Sequence, residues 1–162
     1  MTRIATIGVY GFDAGTFLAA LRSARVTRLL DVRQRRGVRG SEYAWANSKR
    51  LQRALAEAGV EYRHHPELAP TTELRQLQYR EDERRGVGKR SRARLAPQYV
   101  ERYTREILDR ADLGAVVADM PSDATWALMC VERDAAACHR SLIAARLSAE
   151  HGVDVVDLRP DG

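Results

Sequence analysis

Cysteine is scarce. Only Cys130 and Cys138 occur in 162 residues, too few for the disulfide framework of a small secreted fold. A bridge between them would tie only a strand end to the next helix start, so reduced thiols are expected. No CxxC pair is present and no fourth ligand accompanies Cys130, Cys138 and His139, so no metal and no cofactor are assigned. Apolar runs are short, and none approaches the roughly 18–20 residues of a membrane-spanning helix. The opening MTRIATIGVYGF has no uninterrupted apolar region and no small-residue cleavage site; it reads as a strand and not as a secretory leader. Together these absences point to a cytoplasmic protein with no membrane partner. Internal repeats are absent too. Lysine is nearly so: Lys49 and Lys89 stand alone among 27 Lys+Arg.

Arginine and regular patterning are what the chain does have. The excess over 22 Asp+Glu gives a net charge of +5 and a pI near 9.6, which suits a nucleic-acid or phosphorylated partner. Strand-like and helix-like stretches alternate throughout. Arg3–Val9, Arg28–Val32, Val60–His64, Ala124–Val131 and Val153–Leu158 read as strands. Between them, Asp13 caps a helix carrying Phe17, Leu18 and Leu21, and Asn47 or Ser48 caps one carrying Leu51 and Leu55, closed by Gly59. Glu73–Arg85, a helix opened by Pro97 and a helix over Ser141–His151 follow. Strands separated by helices predict one α/β domain over residues 1–162: three layers, with a mostly parallel central sheet of about five strands and helices on both faces. A basic stretch at about 84–96 reads as a solvated, mobile loop.

Ligands of such sheets sit outside the carboxyl ends of the strands, and that rule sorts the polar residues. Asp31 and Arg33 follow one strand and Glu132 follows another, while Cys138, His139, Arg140 and Ser141 return to the same rim at a helix start. A helix N-terminus with Arg140 and the Ser141 hydroxyl is suited to hold an anion. Ser41, Tyr43 and Trp45, after a run of arginines, offer aromatic faces beside phosphate-binding groups. At most one of His64 and His65 faces the rim, as a base or a satisfied polar neighbour. Cys138 at a helix start beside His139 and Arg140 is a candidate thiolate; Cys130, inside an apolar run, is expected to be buried.

The assembled motifs resemble the family numbered 488 among the domains of unknown function. The resemblance is carried by TIGVYGF, by the DVR of Asp31-Val32-Arg33 with Gly37 and Ser41, by EYRHHPEL, and above all by Cys130-Val131-Glu132 with Cys138-His139-Arg140-Ser141. It implies a compact α/β domain in which Asp31, Arg33, Glu132, Cys138, His139 and Arg140 meet at one polar cleft. The chain departs from the family in its arginine-rich QRRGVRGS, where many members carry proline and serine, and in Leu68-Ala69-Pro70, where members often show Leu-Gly-Gly.

The leading functional expectation is an enzyme of hydrolase or glycosylase type acting on nucleic acid or a phosphorylated, nucleotide-like substrate. Asp31 or Glu132 would activate water or stabilise cationic sugar character, and His139 would shuttle a proton. Arg33, Arg140, Ser141, Ser41 and Tyr43 would bind. Two alternatives stand beside it: a thiol-dependent small-molecule enzyme of rhodanese-like logic using Cys138, and a non-catalytic nucleic-acid-binding module.

Overall fold

The computed structural model describes residues 2–160. Five parallel strands form the sheet: β1 (Arg3–Ile7), β2 (Val26–Asp31), β3 (Glu61–His64), β4 (Thr125–Met129) and β5 (Asp154–Leu158), in the order β3-β2-β4-β1-β5. Six helices cover it: α1 (Ala14–Ser23), α2 (Ser48–Glu57), α3 (Thr72–Arg84), α4 (Pro97–Glu106), α5 (Leu113–Asp119) and α6 (Arg140–His151). This is the expected three-layer α/β architecture. Among the described residues, no helix is long and apolar enough to cross a membrane.

Period-two alternation divides the core. Trp126, Leu128 and Cys130 face one layer, with Tyr99, Tyr103, Leu113, Ile143 and Leu147 packed over them. Ala127, Met129 and Val131 face the other, under Phe17, Leu21, Leu51 and Leu55. A central strand buried on both faces needs a continuous apolar run, and TWALM supplies it.

Local chemistry places the helix ends where the residue types predict. Asp13 forms a capping box with Thr16, Thr71 accepts from the Leu74 amide, Pro97 opens α4, and Gly152 closes α6 at φ 65°. Helix α5 went unread because its seven residues are too short to show a period. Asn47 precedes α2, yet its side chain accepts from the Val38 amide and so braces the loop after β2 instead of capping the helix.

The strand order creates one feature that matters for function. The chain moves from β1 to β2 to β3 towards one edge, with α1 and α2 on one face. It then returns through β4 and β5 towards the other edge, with α3–α6 on the opposite face. Neighbouring strands β2 and β4 are therefore followed by connections that leave to opposite faces, and a crevice must open between their carboxyl ends.

The exits of β1 and β4, by contrast, are sealed together. The amides of Val9 and Tyr10 both donate to the Val131 carbonyl, at 2.9 and 3.0 Å. The chains are so close that a Cβ at Gly8 would lie 1.8 Å from the Glu132 carbonyl oxygen and 3.2 Å from Arg140 Nη1. Gly8→Ala is therefore expected to destabilise the fold by about 2–3 kcal/mol. Urea unfolding checks this: the midpoint should fall with the m-value unchanged.

Candidate functional site

A cavity of about 690 Å³ occupies the crevice between β2 and β4. Its floor is built from the strand exits, Arg33 on one side and Cys130, Val131 and Glu132 on the other, together with Cys138 and His139 at the approach to α6. Its walls come from the loop after β2, from α3, and from residues 88–92, which cross the mouth.

Asp31 lies beneath this floor and does not line it. The side chain is fully buried and spends its oxygens on fixed partners. Arg33 Nε and Nη2 donate to its two oxygens, both at 2.9 Å; the Arg33 amide donates at 3.1 Å, and the Tyr62 hydroxyl donates as well. Arg33 Nη1 donates to the Ala46 carbonyl. A bidentate pair of this kind fixes the plane of the guanidinium, so Asp31 positions Arg33. His64 joins the same support through a 2.9–3.2 Å class contact, its Nε2 lying 3.1 Å from the Arg33 carbonyl oxygen. His65 turns away to Glu67, and neither histidine lines the cavity.

Glu132 is the one carboxylate on the lining, and a residue read as part of a solvated basic run holds it. Arg92 is only 7% exposed. Its Nη2 donates to Glu132 Oε1 at 2.8 Å and its Nη1 to Asp82 Oδ2 at 2.6 Å, and Nε and Nη2 both donate to the Ala137 carbonyl. Gln78 completes the chain, donating to Asp82 Oδ1 at 2.8 Å and accepting from the Ala96 amide. No sequence signal distinguished Arg92 from Arg90 or Arg94, because burial in a loop has no period.

Arg140 was expected to hold an anion at the rim, and the structure places it elsewhere. It is 1% exposed and does not line the cavity. Its Nη1 donates to the Glu132 carbonyl at 2.6 Å and its Nη2 to the Arg133 carbonyl at 3.1 Å, and so it braces the turn after β4. Burial pulls the guanidinium down to about 10. The start of α6 is engaged as well: the amides of Ser141 and Leu142 donate to the Cys138 and His139 carbonyls, and the Ser141 hydroxyl donates to the Cys138 carbonyl at 2.9 Å. The expected anion cradle is therefore filled by the chain's own carbonyls.

His139 is buried, and its Nε2 lies 2.8 Å from the Val32 carbonyl oxygen. A carbonyl accepts only, so Nε2 carries the proton and Nδ1 keeps a free lone pair. That lone pair lies 3.7 Å from Cys138 Sγ. The sulfurs of Cys130 and Cys138 are brought into contact instead of standing apart as separate thiols, because β4 runs out and α6 approaches on the same face of the sheet, bringing both side chains into one apolar cluster.

Tyr43 does not line the cavity; its hydroxyl accepts from the Gly11 amide and its ring lies 5.3 Å from that of Tyr10. Arg90 lies over both rings. Ser41 is exposed and lines nothing. Trp45 packs on Phe17 at the edge of the core.

A family model described as Domain of unknown function DUF488 matches residues 13–147. The chain belongs to the DUF488 family. The match takes in Asp31, Arg33, Glu132 and Cys138–Ser141 and begins just after TIGVYGF. No curated protein and no solved structure matches the chain.

Two outcomes test this geometry. Arg92→Ala leaves Asp82 and Glu132 buried without their cation and is expected to cost about 3–5 kcal/mol, read by chemical denaturation. His139 is lowered by burial from 6.5 to about 4, so its neutral form contributes stability in full above pH 6.5 and loses it as the pH falls through 4. About 3 kcal/mol is expected to disappear across that window. Unfolding measured against pH should show this slope in the wild type and lack it in His139→Gln.

Proposed function

We propose that the cleft is the substrate site of an enzyme acting on a phosphorylated, nucleotide-like group, free or at the accessible end of a nucleic-acid strand. The observation that carries this reading is the charge of the lining: seven arginine and lysine side chains against the single carboxylate of Glu132. Arg33 and Arg92 are compensated by buried carboxylates. Arg35, Arg39, Arg75 and Lys89 have no carboxylate at ion-pair distance among the described residues, and Arg90 meets Glu42 only at 3.4 Å. Cations in a walled cleft attract anions more strongly than cations on an open surface. Tyr10, Tyr79 and Tyr99 add aromatic faces suited to a base. The volume lies in the range of about 300–1,000 Å³ typical of small-ligand sites, which favours one nucleotide unit over a duplex.

In this reading Arg33 and the wall cations hold phosphate, and Glu132, held at one oxygen by Arg92, takes the proton from attacking water. The thiol alternative has less support. Cys138 is fully buried and paired with Cys130, and a neutral His139 supplies no positive charge to depress a thiol.

Fluorescence anisotropy with a labelled mononucleotide and a short single strand, across a salt series, tests the binding step. Affinity should fall as salt rises, and Arg75→Ala with Lys89→Ala should reduce the slope by about 0.7 for each lost phosphate contact to a single strand. Binding that is absent, or insensitive to salt, sinks the reading. Mass spectrometry of pooled nucleotides and oligonucleotides tests turnover. A product made by the wild type and not by Glu132→Gln supports an enzyme, whereas binding without any product leaves the non-catalytic module.

A further inference from the structure

We propose that in the reduced protein Cys130, Cys138 and His139 form a zinc site of the open, three-ligand kind, its fourth position facing the cleft. The three donor atoms lie within 4.8 Å of one another and all three residues are buried. All three also line the cavity, so a ligand in the remaining tetrahedral position comes from that side. Two thiolates and an imidazole suit zinc and not the hard cations magnesium and calcium.

The surroundings are those that such a site needs. A ligating histidine donates its other ring N–H to a carbonyl or carboxylate; His139 Nε2 is on the Val32 carbonyl at 2.8 Å, which leaves the Nδ1 lone pair on the side of Cys138 Sγ. Arg140 is buried with no carboxylate at ion-pair distance among the described residues, a costly state unless an anion is near. Its Nη1 donates to Cys130 Sγ at 3.3 Å, so a Cys130 thiolate is the counter-ion that the guanidinium lacks. The Cα atoms of the two cysteines are 7.3 Å apart, wider than the roughly 4.4–6.8 Å usual for a disulfide and suited to two sulfurs that share a metal.

The chemistry balances. Where the pair is oxidised, a thiol reductant gives two electrons and two protons to the Cys130–Cys138 bond and is itself oxidised to its disulfide. Zinc then displaces both thiol protons to solvent, so affinity falls with acid. With zinc bound, water in the fourth position is acidified towards neutrality. The site rests on its own donors; failure of nucleotide binding leaves it standing.

The test uses the full chain reduced with a phosphine and titrated with cobalt(II), then zinc(II). One cobalt per chain is expected, with thiolate charge-transfer bands and tetrahedral d–d bands that one equivalent of zinc abolishes. Cys130→Ser and Cys138→Ser should each weaken the charge-transfer bands, and His139→Ala should weaken zinc affinity by more than the roughly 100-fold cost of losing a second-shell partner. Should these variants fail to fold, zinc-edge X-ray absorption on the wild type decides. Two sulfurs at about 2.3 Å and a nitrogen at about 2.0 Å support the site; a shell of oxygen and nitrogen alone, or zinc that does not stay with the reduced chain, overturns it.

Discussion

Three guanidinium groups lie in the interior at the carboxyl ends of the strands, and the cost of keeping charge away from water governs everything around them. Arg33 is satisfied by Asp31 and Arg92 by Asp82 and Glu132, whereas Arg140 has carbonyls and a sulfur but no carboxylate, and its Nε finds no partner. Each arginine ties a loop to a strand exit, so the floor of the cleft is rigid in the region where the sheet topology alone would leave a gap. Apart from Arg140, the charges that remain uncompensated are those of the walls, and they face the open space.

The architecture was legible because it rests on period. The continuous apolar run of β4 and the three-and-four spacing of Phe17, Leu18 and Leu21 are repeated signals, and caps such as Asp13 and Gly152 act within one turn of chain. The roles of the charged residues were not legible in the same way. Asp31, Arg92 and Arg140 looked like solvent-facing chemistry, because nothing in a local pattern says whether an arginine's partner lies forty residues away. Arg92 and Glu132 are such a pair. The rule that polar residues gather at strand ends leads to the crevice between β2 and β4 but does not say which of them line it, since a rim has an underside as well as a surface.

Of the seven polar residues at the β2 and β4 exits that lie within the DUF488 match, some face the cavity and the others brace the floor beneath it. Arg33, Glu132, Cys138 and His139 reach the cavity; Asp31, Arg140 and Ser141 hold the backbone that presents them.

The tetrapeptide Cys138-His139-Arg140-Ser141 sends its first three side chains to three places on the sheet: the end of β4, the carbonyl after β2, and the turn beyond β4. Contiguity is thus a geometric requirement. An insertion between any two of the first three would displace one side chain from its anchor relative to the next and break at least one of the three anchorages. The turn preceding the motif is held too, its Arg133 and Ala137 carbonyls accepting from Arg140 and Arg92. Length variation in this protein is confined by its braces to the segments between them.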